Sequence, residues 1–213
     1  MKYFVLSSFL ITFLAAQALE TRVVRAGSSK YEATTLFRKA ASTTETPEVS
    51  LLRIRGKVYV TGTDNPQFSI RERILMKARS LREAEQMAKD YRLNEDVPKN
   101  NHYYYRGHTS SPPALRFIYE LTVPENTQLT VETSGGNIRV QDTQGVLALK
   151  TSGGDIDLNR IVGVITGQTS GGNLEAQEFE GVLTLRTSGG DIRIRKGSGP
   201  VNVSTSGGDI RIN

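Results

Sequence analysis

Five side chains with oxygen donors recur at one position of this sequence: Asn137, Asp155, Asn173, Asp191 and Asp209, each 18 residues after the last. A column of oxygens beside paired glycines is chemistry for a hard cation. Nonapeptide repeats of the form G-G-x-G-x-D-x-U-x hold Ca²⁺ in the turns of a β-roll whose coils also take about 18 residues. The match fails at two points. Gly153-Gly154-Asp155-Ile156-Asp157 lacks the third glycine, and the place of Asp157 is taken by Arg139, Glu175, Arg193 and Arg211 in the other copies. Arginine cannot stand where a calcium ligand is needed. The five are therefore expected to cap turns as Asx residues, and no metal or other cofactor is expected.

Other chemistry is scarce. His102 and His108 are the only histidines and there is no cysteine, so zinc-ligand spacing is missing. No Gly-x-Ser-x-Gly elbow, and no histidine on a strand-to-helix turn, offers a nucleophile with its base. The serines recur with the repeat and belong to turns; the expectation is a chain that is not an enzyme. Asp157 and Glu175 are adjacent carboxylates at equivalent positions, the minimum a polysaccharide-acting β-helix enzyme would need, and arginines flank them. Two features are candidates for partner binding. Arg186, Arg193, Arg195, Lys196 and Arg211 cluster near the end of the sequence and could meet an acidic polysaccharide or lipid head group. Tyr103, Tyr104 and Tyr105 could form an aromatic contact, with at least one expected to face the core.

The elements that position these residues follow from the repeat. Thr-Ser-Gly-Gly begins at Thr133, Thr151, Thr169, Thr187 and Thr205, and a glycine falls on every ninth residue from Gly136 to Gly208. Strict self-similarity means one unit stacked on itself. Within a unit the apolar residues alternate twice, as at Leu147 and Leu149 and then Ile156 and Leu158, the mark of two short half-buried strands. The expected fold is all-β: a parallel β-solenoid of 18-residue coils, two strands per coil, with glycines at the reversals and threonine and serine hydroxyls stacked in ladders that help satisfy the turn backbone. The third copy is thin, with Gly167 and Ala176 where its neighbours are large, and Phe179 is expected to fold inward to replace that volume.

Residues 1–18 read as a signal peptide: Lys2, an apolar run from Phe4 to Ala15, and Ala16-Gln17-Ala18 as cleavage site. An exported chain follows, for the periplasm, cell surface or medium. Residues 19–50, rich in Ser, Thr, Ala and Lys, suggest a linker or loosely ordered arm with a brief helical turn around Tyr31 to Ala40. Residues 51–126 read as an N-terminal cap. It comprises a β-hairpin built from Leu52–Val60 and Phe68–Met76, a helix opened by a Ser80/Glu83 capping box, and a lead-in strand from Leu115 to Val123. Residues 127–213 are the repeats, with 8 basic against 9 acidic residues. The net charge of +5 is thus modest and lies in the N-terminal half; it marks no nucleic-acid binder. Ile210 and Ile212 form a last strand open to self-association.

The segments RGKVYVTG and FIYELTVPENTQLTVETSGGNIRV, followed by the recurring TSGGDI and TSGGN steps, resemble the bacterial putative-adhesin family with its head-GIN type domains, from about Leu51 to Asn213. The resemblance implies a secreted or envelope-associated β-solenoid without catalytic residues. The functional expectation is a non-catalytic, adhesin-like or cell-envelope scaffold whose partner is an envelope polysaccharide or surface protein. The alternatives are a polysaccharide-acting β-helix enzyme and a scaffold that assembles without calcium.

Overall fold

The computed structural model describes residues 21–41, 45–108 and 110–213; the expected signal peptide lies outside them. The described chain is nearly all β, with one helix and an open sheet. The N-terminal half supplies β1 (Thr21–Arg25), β2 (Lys30–Ala40), β3 (Glu48–Ile54), β4 (Lys57–Thr63), β5 (Gln67–Lys77), α1 (Leu81–Tyr91), β6 (Asn94–Glu95), β7 (His102–Arg106) and β8 (Arg116–Pro124). The repeats supply β9 (Gln128–Thr133), β10 (Ile138–Thr151), β11 (Ile156–Gln168), β12 (Leu174–Thr187), β13 (Ile192–Ser198), β14 (Val201–Thr205) and β15 (Ile210–Ile212).

In the repeats each residue pairs in parallel with its equivalent 18 positions on: Ile138 with Ile156, Ile156 with Leu174, Leu174 with Ile192 and Ile192 with Ile210. The inward residues Leu147, Leu149, Ile156, Leu158, Leu183, Leu185, Ile192 and Ile194 are all buried. Below the first repeat the pattern continues without its sequence signature. β3 and β4 pair in parallel with β9 and β10, setting Val49 against Leu129 and Val58 against Ile138. β7 and β8 pair in parallel beneath those, setting Tyr103 against Val49 and Tyr119 against Val58.

The expected hairpin is corrected here. β4 and β5 follow one another in sequence but are not neighbours, because β8 lies between them, parallel to β4 and antiparallel to β5. Period-two alternation fixes which face is buried; it leaves open which strand takes which edge. The expected linker arm is corrected too. β1 and β2 form an antiparallel pair, and β2 lies along β5 over its whole length, Lys30 against Lys77 to Ala40 against Gln67. Tyr31, Ala33, Thr35 and Phe37 all point inward. Two of those four are Ala and Thr, so the alternation is faint in the sequence. No helical turn forms there.

α1 starts as its capping box requires. Ser80 Oγ accepts from the Glu83 N–H at 3.2 Å, while Glu83 Oε2 reaches past the cap to accept from the Arg79 N–H at 2.7 Å. The buried stripe is Ala84 and Ala88, with Met87 and Tyr91 half-buried against the core and Leu81 exposed.

Two columns of glycines do different work. Gly145, Gly163, Gly181 and Gly199 have φ of 127°, 127°, 121° and 112°, a region costly for any other residue. Gly136, Gly154, Gly172, Gly190 and Gly208 owe their identity to close approach. A Cβ on each would overlap the carbonyl of the glycine one layer below, beginning with Gly56 under Gly136. Phe179 is buried as expected, but its volume is spent elsewhere: its ring lies over Gly197, whose Cβ it would displace. The space at Gly167 is filled by Leu185, whose Cδ2 would stand 2.7 Å from an added Cβ.

Candidate functional site

The threonine of each Thr-Ser-Gly-Gly step is a buried bridge between layers. Thr169 Oγ1 donates to the Gly154 carbonyl at 2.9 Å and accepts from the Gly172 N–H at 3.3 Å; Thr151 and Thr187 repeat both bonds. The hydroxyls thus satisfy glycine backbone rather than one another. Thr169→Val keeps the shape and strands two buried polar groups. It should cost about 2–3 kcal/mol in a urea-unfolding experiment, against about 1 kcal/mol or less for Thr169→Ser.

The Asx column also works between layers. Asn137 Oδ1 accepts from the Asp155 N–H at 3.1 Å, Asp155 from Asn173 at 2.8 Å, Asn173 from Asp191 at 2.8 Å and Asp191 from Asp209 at 3.0 Å. Each side chain caps the backbone of the next repeat. The oxygens facing one another are thereby spoken for, and the described residues hold no group of three or more His, Cys, Asp or Glu arranged for a metal.

The arginines expected as a basic face are mostly neutralised. Arg193 meets Asp191 at 2.9 Å, Arg195 meets Glu175 at 2.8 Å, Lys196 meets Glu178 at 3.5 Å, and Arg211 meets Asp209 at 2.8 Å. Arg186 sits on the other half of its repeat, exposed and in no ion pair among the described residues. Asp157 and Glu175 are register partners. Asp157 accepts from Arg139 at 2.9 Å and Glu175 from Arg195 at 2.8 Å, so the adjacent carboxylates are held by arginines rather than poised as a pair.

The tyrosine expectation divides. Tyr103 and Tyr105 are core residues, edge-on to Phe68 with centroids 4.6 and 6.4 Å apart. Tyr103 Oη donates to the Ala40 carbonyl at 3.1 Å and Tyr105 Oη to Glu95 Oε1 at 3.1 Å. Burial pushes both phenols upward. The strand period places every second residue of β7 inward, and only Tyr104 remains outside, stacked on His102 at 3.6 Å. His102 stands beside Glu48 and Ser50, each 3.1 Å away. The trio looks like a relay, yet both partners address the same nitrogen, Nε2. A nucleophile–base–orienter chain needs one partner on each ring nitrogen. Ser50 is buried as well.

Three features were missed in the sequence reading. The first is a column of left-handed residues that are not glycine: Asp142, Arg160, Glu178 and Lys196, with φ of 59°, 54°, 56° and 49°. The pairing register steps over them, and the kink turns the next residue, Thr143, Ile161 or Phe179, into the core. Their charges alternate along the stack. Arg160 Nε donates to Asp142 Oδ1 at 2.5 Å and holds that carboxyl below its ordinary range. The alternation of sign at 18-residue spacing was the available signal. The second is an outward valine ladder four residues further on: Val146, Val164 and Val182 are register partners, 47%, 48% and 41% exposed. The third is a groove of about 490 Å³ at the start of the repeats, lined by Arg55, Lys57, Arg116, Gly135, Gly136 and Asn137 over Leu75, Pro113 and Phe117. Its signal was the match of RGKVYV to GGNIRV, which sets Lys57 in the Asx column. Ile210 and Ile212, 43% and 57% exposed, lie on one face of β15 and are open to coverage by a further strand or another chain.

A nearly all-β chain whose repeats pair in parallel, layer on layer, is the form of a repeat domain. The chain belongs to the Toastrack family DUF4097, whose model matches residues 83–213. No curated protein matches it. Among solved structures it is similar to a putative cell adhesion protein from Clostridium sporogenes, at 11% identity and a TM-score of 0.42, covering 84% of this chain and 98% of that one. It is also similar to a putative adhesin from Bacteroides fragilis, at 13% identity and 0.37, covering 84% and 97%, and to a putative lipid binding protein from Parabacteroides distasonis, at 10% identity and 0.32, again covering 84% and 97%.

Proposed function

We propose that this chain is an exported, non-catalytic β-solenoid that serves as an adhesin-like or cell-envelope scaffold, each 18-residue repeat forming one coil of two strands. The parallel register at 18 residues supports the coil. One observation carries the binding role: the alternating-charge column Asp142, Arg160, Glu178, Lys196 accompanies the exposed valine ladder Val146, Val164, Val182. The two columns repeat in register four residues apart in each repeat, an apolar stripe accompanying charges that neutralise one another. A stripe of that kind is more apolar than a solvated surface needs, and its polar border is what an interface rim requires.

The test is retention on isolated cell-envelope material. The wild-type protein should be retained, and the double substitution Val164→Lys with Val182→Lys should reduce retention severalfold while leaving the far-UV circular dichroism unaltered. Equal retention of the two proteins, or recovery of the wild-type protein solely from the cytosol of expressing cells, would count against the reading. A second reading, self-association, is favoured by the exposure of Ile210 and Ile212. Light scattering with calcium and with chelator decides it: a calcium-independent oligomer that Ile210→Lys returns to monomer supports assembly through this face.

A further inference from the structure

In every later repeat the backbone amide of the Asx residue donates to the Asx side chain one layer below, at 2.8–3.1 Å. Asn137 is the exception. The layer below it is β4, where Val58 pairs with Ile138 and the Val58 N–H donates to the Asn137 carbonyl at 2.9 Å. The residue beneath Asn137 is therefore Lys57, which has no oxygen to offer. The neighbouring amide is orphaned as well. Gly154, Gly172, Gly190 and Gly208 donate to the threonine of their own step, but Thr133 Oγ1 accepts from the Gly56 N–H at 3.3 Å and donates to the Gly56 carbonyl at 3.1 Å. The amides of Gly136 and Asn137 thus have no acceptor among the described residues, and both residues line the groove.

The groove supplies what two such amides call for. Arg55, Lys57 and Arg116 line it, and none of the three forms an ion pair among the described residues. The Arg55 guanidinium is oriented by one bond, Nη1 to the Ser111 carbonyl at 3.4 Å. Consecutive backbone N–H groups in a turn make an anion-binding concavity, and cations bordering it add charge-assisted bonds to the same oxygens. Elsewhere in the stack a protein oxygen closes each layer; here the fold has replaced that oxygen with a cation.

We propose that this groove binds the carboxylate or sulfate of an acidic sugar, one oxyanion oxygen taking the place of the missing Asx oxygen on the Gly136 and Asn137 amides. Arg55, Lys57 and Arg116 hold the remaining oxygens. Leu75, Pro113 and Phe117 give the sugar ring an apolar wall, and about 490 Å³ suits one or two sugar units. Apart from Tyr59, 37% exposed and two residues beyond Lys57 on β4, no large exposed aliphatic or aromatic residue adjoins the lining residues along the chain, which favours a soluble saccharide over a lipid head group, since a bilayer-bound site needs a cluster of apolar anchors beside it. This deepens the binding reading above and rests on it for its biological setting.

The test is a titration of the purified protein with sodium glucuronate at constant ionic strength, followed by amide nitrogen–proton spectra, with glucose and inorganic phosphate as parallel titrants. Saturable shifts are expected at Gly136 and Asn137 with glucuronate and none with glucose. Lys57→Asn completes the Asx ladder from within, so it should keep or raise the melting temperature and weaken glucuronate binding at least tenfold. Arg116→Gln should weaken it about tenfold. The absence of a saturable shift, or unimpaired binding by a folded Lys57→Asn protein, overturns the site. Binding of phosphate tighter than glucuronate overturns the sugar assignment. A wild-type protein that binds glucuronate but is not retained on envelope material leaves the site standing and removes the adhesin reading alone.

Discussion

Gly172→Ala is expected to abolish folding, whereas Gly153→Ala, in the same Thr-Ser-Gly-Gly motif one repeat earlier, is expected to be harmless. A Cβ on Gly172 would overlap the Gly154 carbonyl of the layer below, with the Asp155 nitrogen only 2.8 Å away. Both obstacles are backbone, so no side chain can swing aside. Relief requires spreading the stack, and spreading it by even a fraction of an ångström strains the Thr169 bond to the Gly154 carbonyl and the Asn173 amide bond to Asp155. A cost above about 4 kcal/mol is expected, comparable with the net stability of many domains. At Gly153 nothing lies within 4 Å of an added Cβ, so alanine there should leave stability within about 0.5–1 kcal/mol, on the favourable side if anything. Thermal melts followed by circular dichroism separate the two outcomes. A cooperative melt of Gly172→Ala within a few degrees of the wild type would mean that the layers are not in contact at this corner.

The second large effect is a dependence of stability on pH that one residue produces. Glu72, on β5, has no exposed surface. Both its carboxyl oxygens lie 3.0 Å from the Leu93 nitrogen, from which they accept, and Tyr119 faces it across the β5–β8 register. Burial raises its pKa from 4.5 to about 8; the Leu93 N–H bond and the charge of Arg92 oppose that rise without cancelling it. The sign follows directly. Between the unfolded and folded pKa the folded state holds a proton that the unfolded state does not, so this group's contribution is fully present at acid pH. It fades as pH rises through about 4.5 to about 8 and stays lost above that. The loss is on the order of 5 kcal/mol. Glu72→Gln keeps an acceptor for the Leu93 N–H and cannot ionise. The variant should match the wild type near pH 4 and exceed its unfolding free energy by several kcal/mol at pH 9, measured by urea unfolding. A difference between the two proteins that stays constant from pH 4 to 9 would show that Glu72 is solvated in the folded state.

The two glycines also show how much of the fold is legible in residues alone. Identity at a fixed spacing places equivalent residues on equivalent layers, because only stacking can satisfy a repeat that never varies. That logic recovered the strands from Gln128 onward, the inward residues, and the role of the threonines. The family resemblance came separately, from the segments RGKVYVTG and FIYELTVPENTQLTVETSGGNIRV together with the recurring steps. The logic of spacing stopped where the repeat loses its letters. β3 and β4 continue the stack with only the short match of RGKVYV to GGNIRV to show for it, and β2 alternates through Ala33 and Thr35, residues too small or polar to announce a buried face. Which strand lies beside which was out of reach, since an alternating pattern is indifferent to its partner; hence β8 between β4 and β5 came as a correction.

The candidate surfaces divide in the same way. Spacing alone placed the charged columns, but whether an arginine is free or neutralised depends on the residue one layer away, and that turned Arg193, Arg195, Lys196 and Arg211 from a basic face into ion pairs. Tyr103 and Tyr105 went to the core because β7 must offer alternate residues to Phe68 and Phe37. By itself the sequence determined a repeating, parallel-compatible β chain without cysteine, because periodicity and residue type are local properties. Only the tertiary structure decided that Lys57 lies beneath Asn137, with Gly136, Asn137 and three cations lining one groove, because a six-residue match 80 residues away and outside the strict repeat does not by itself fix a register.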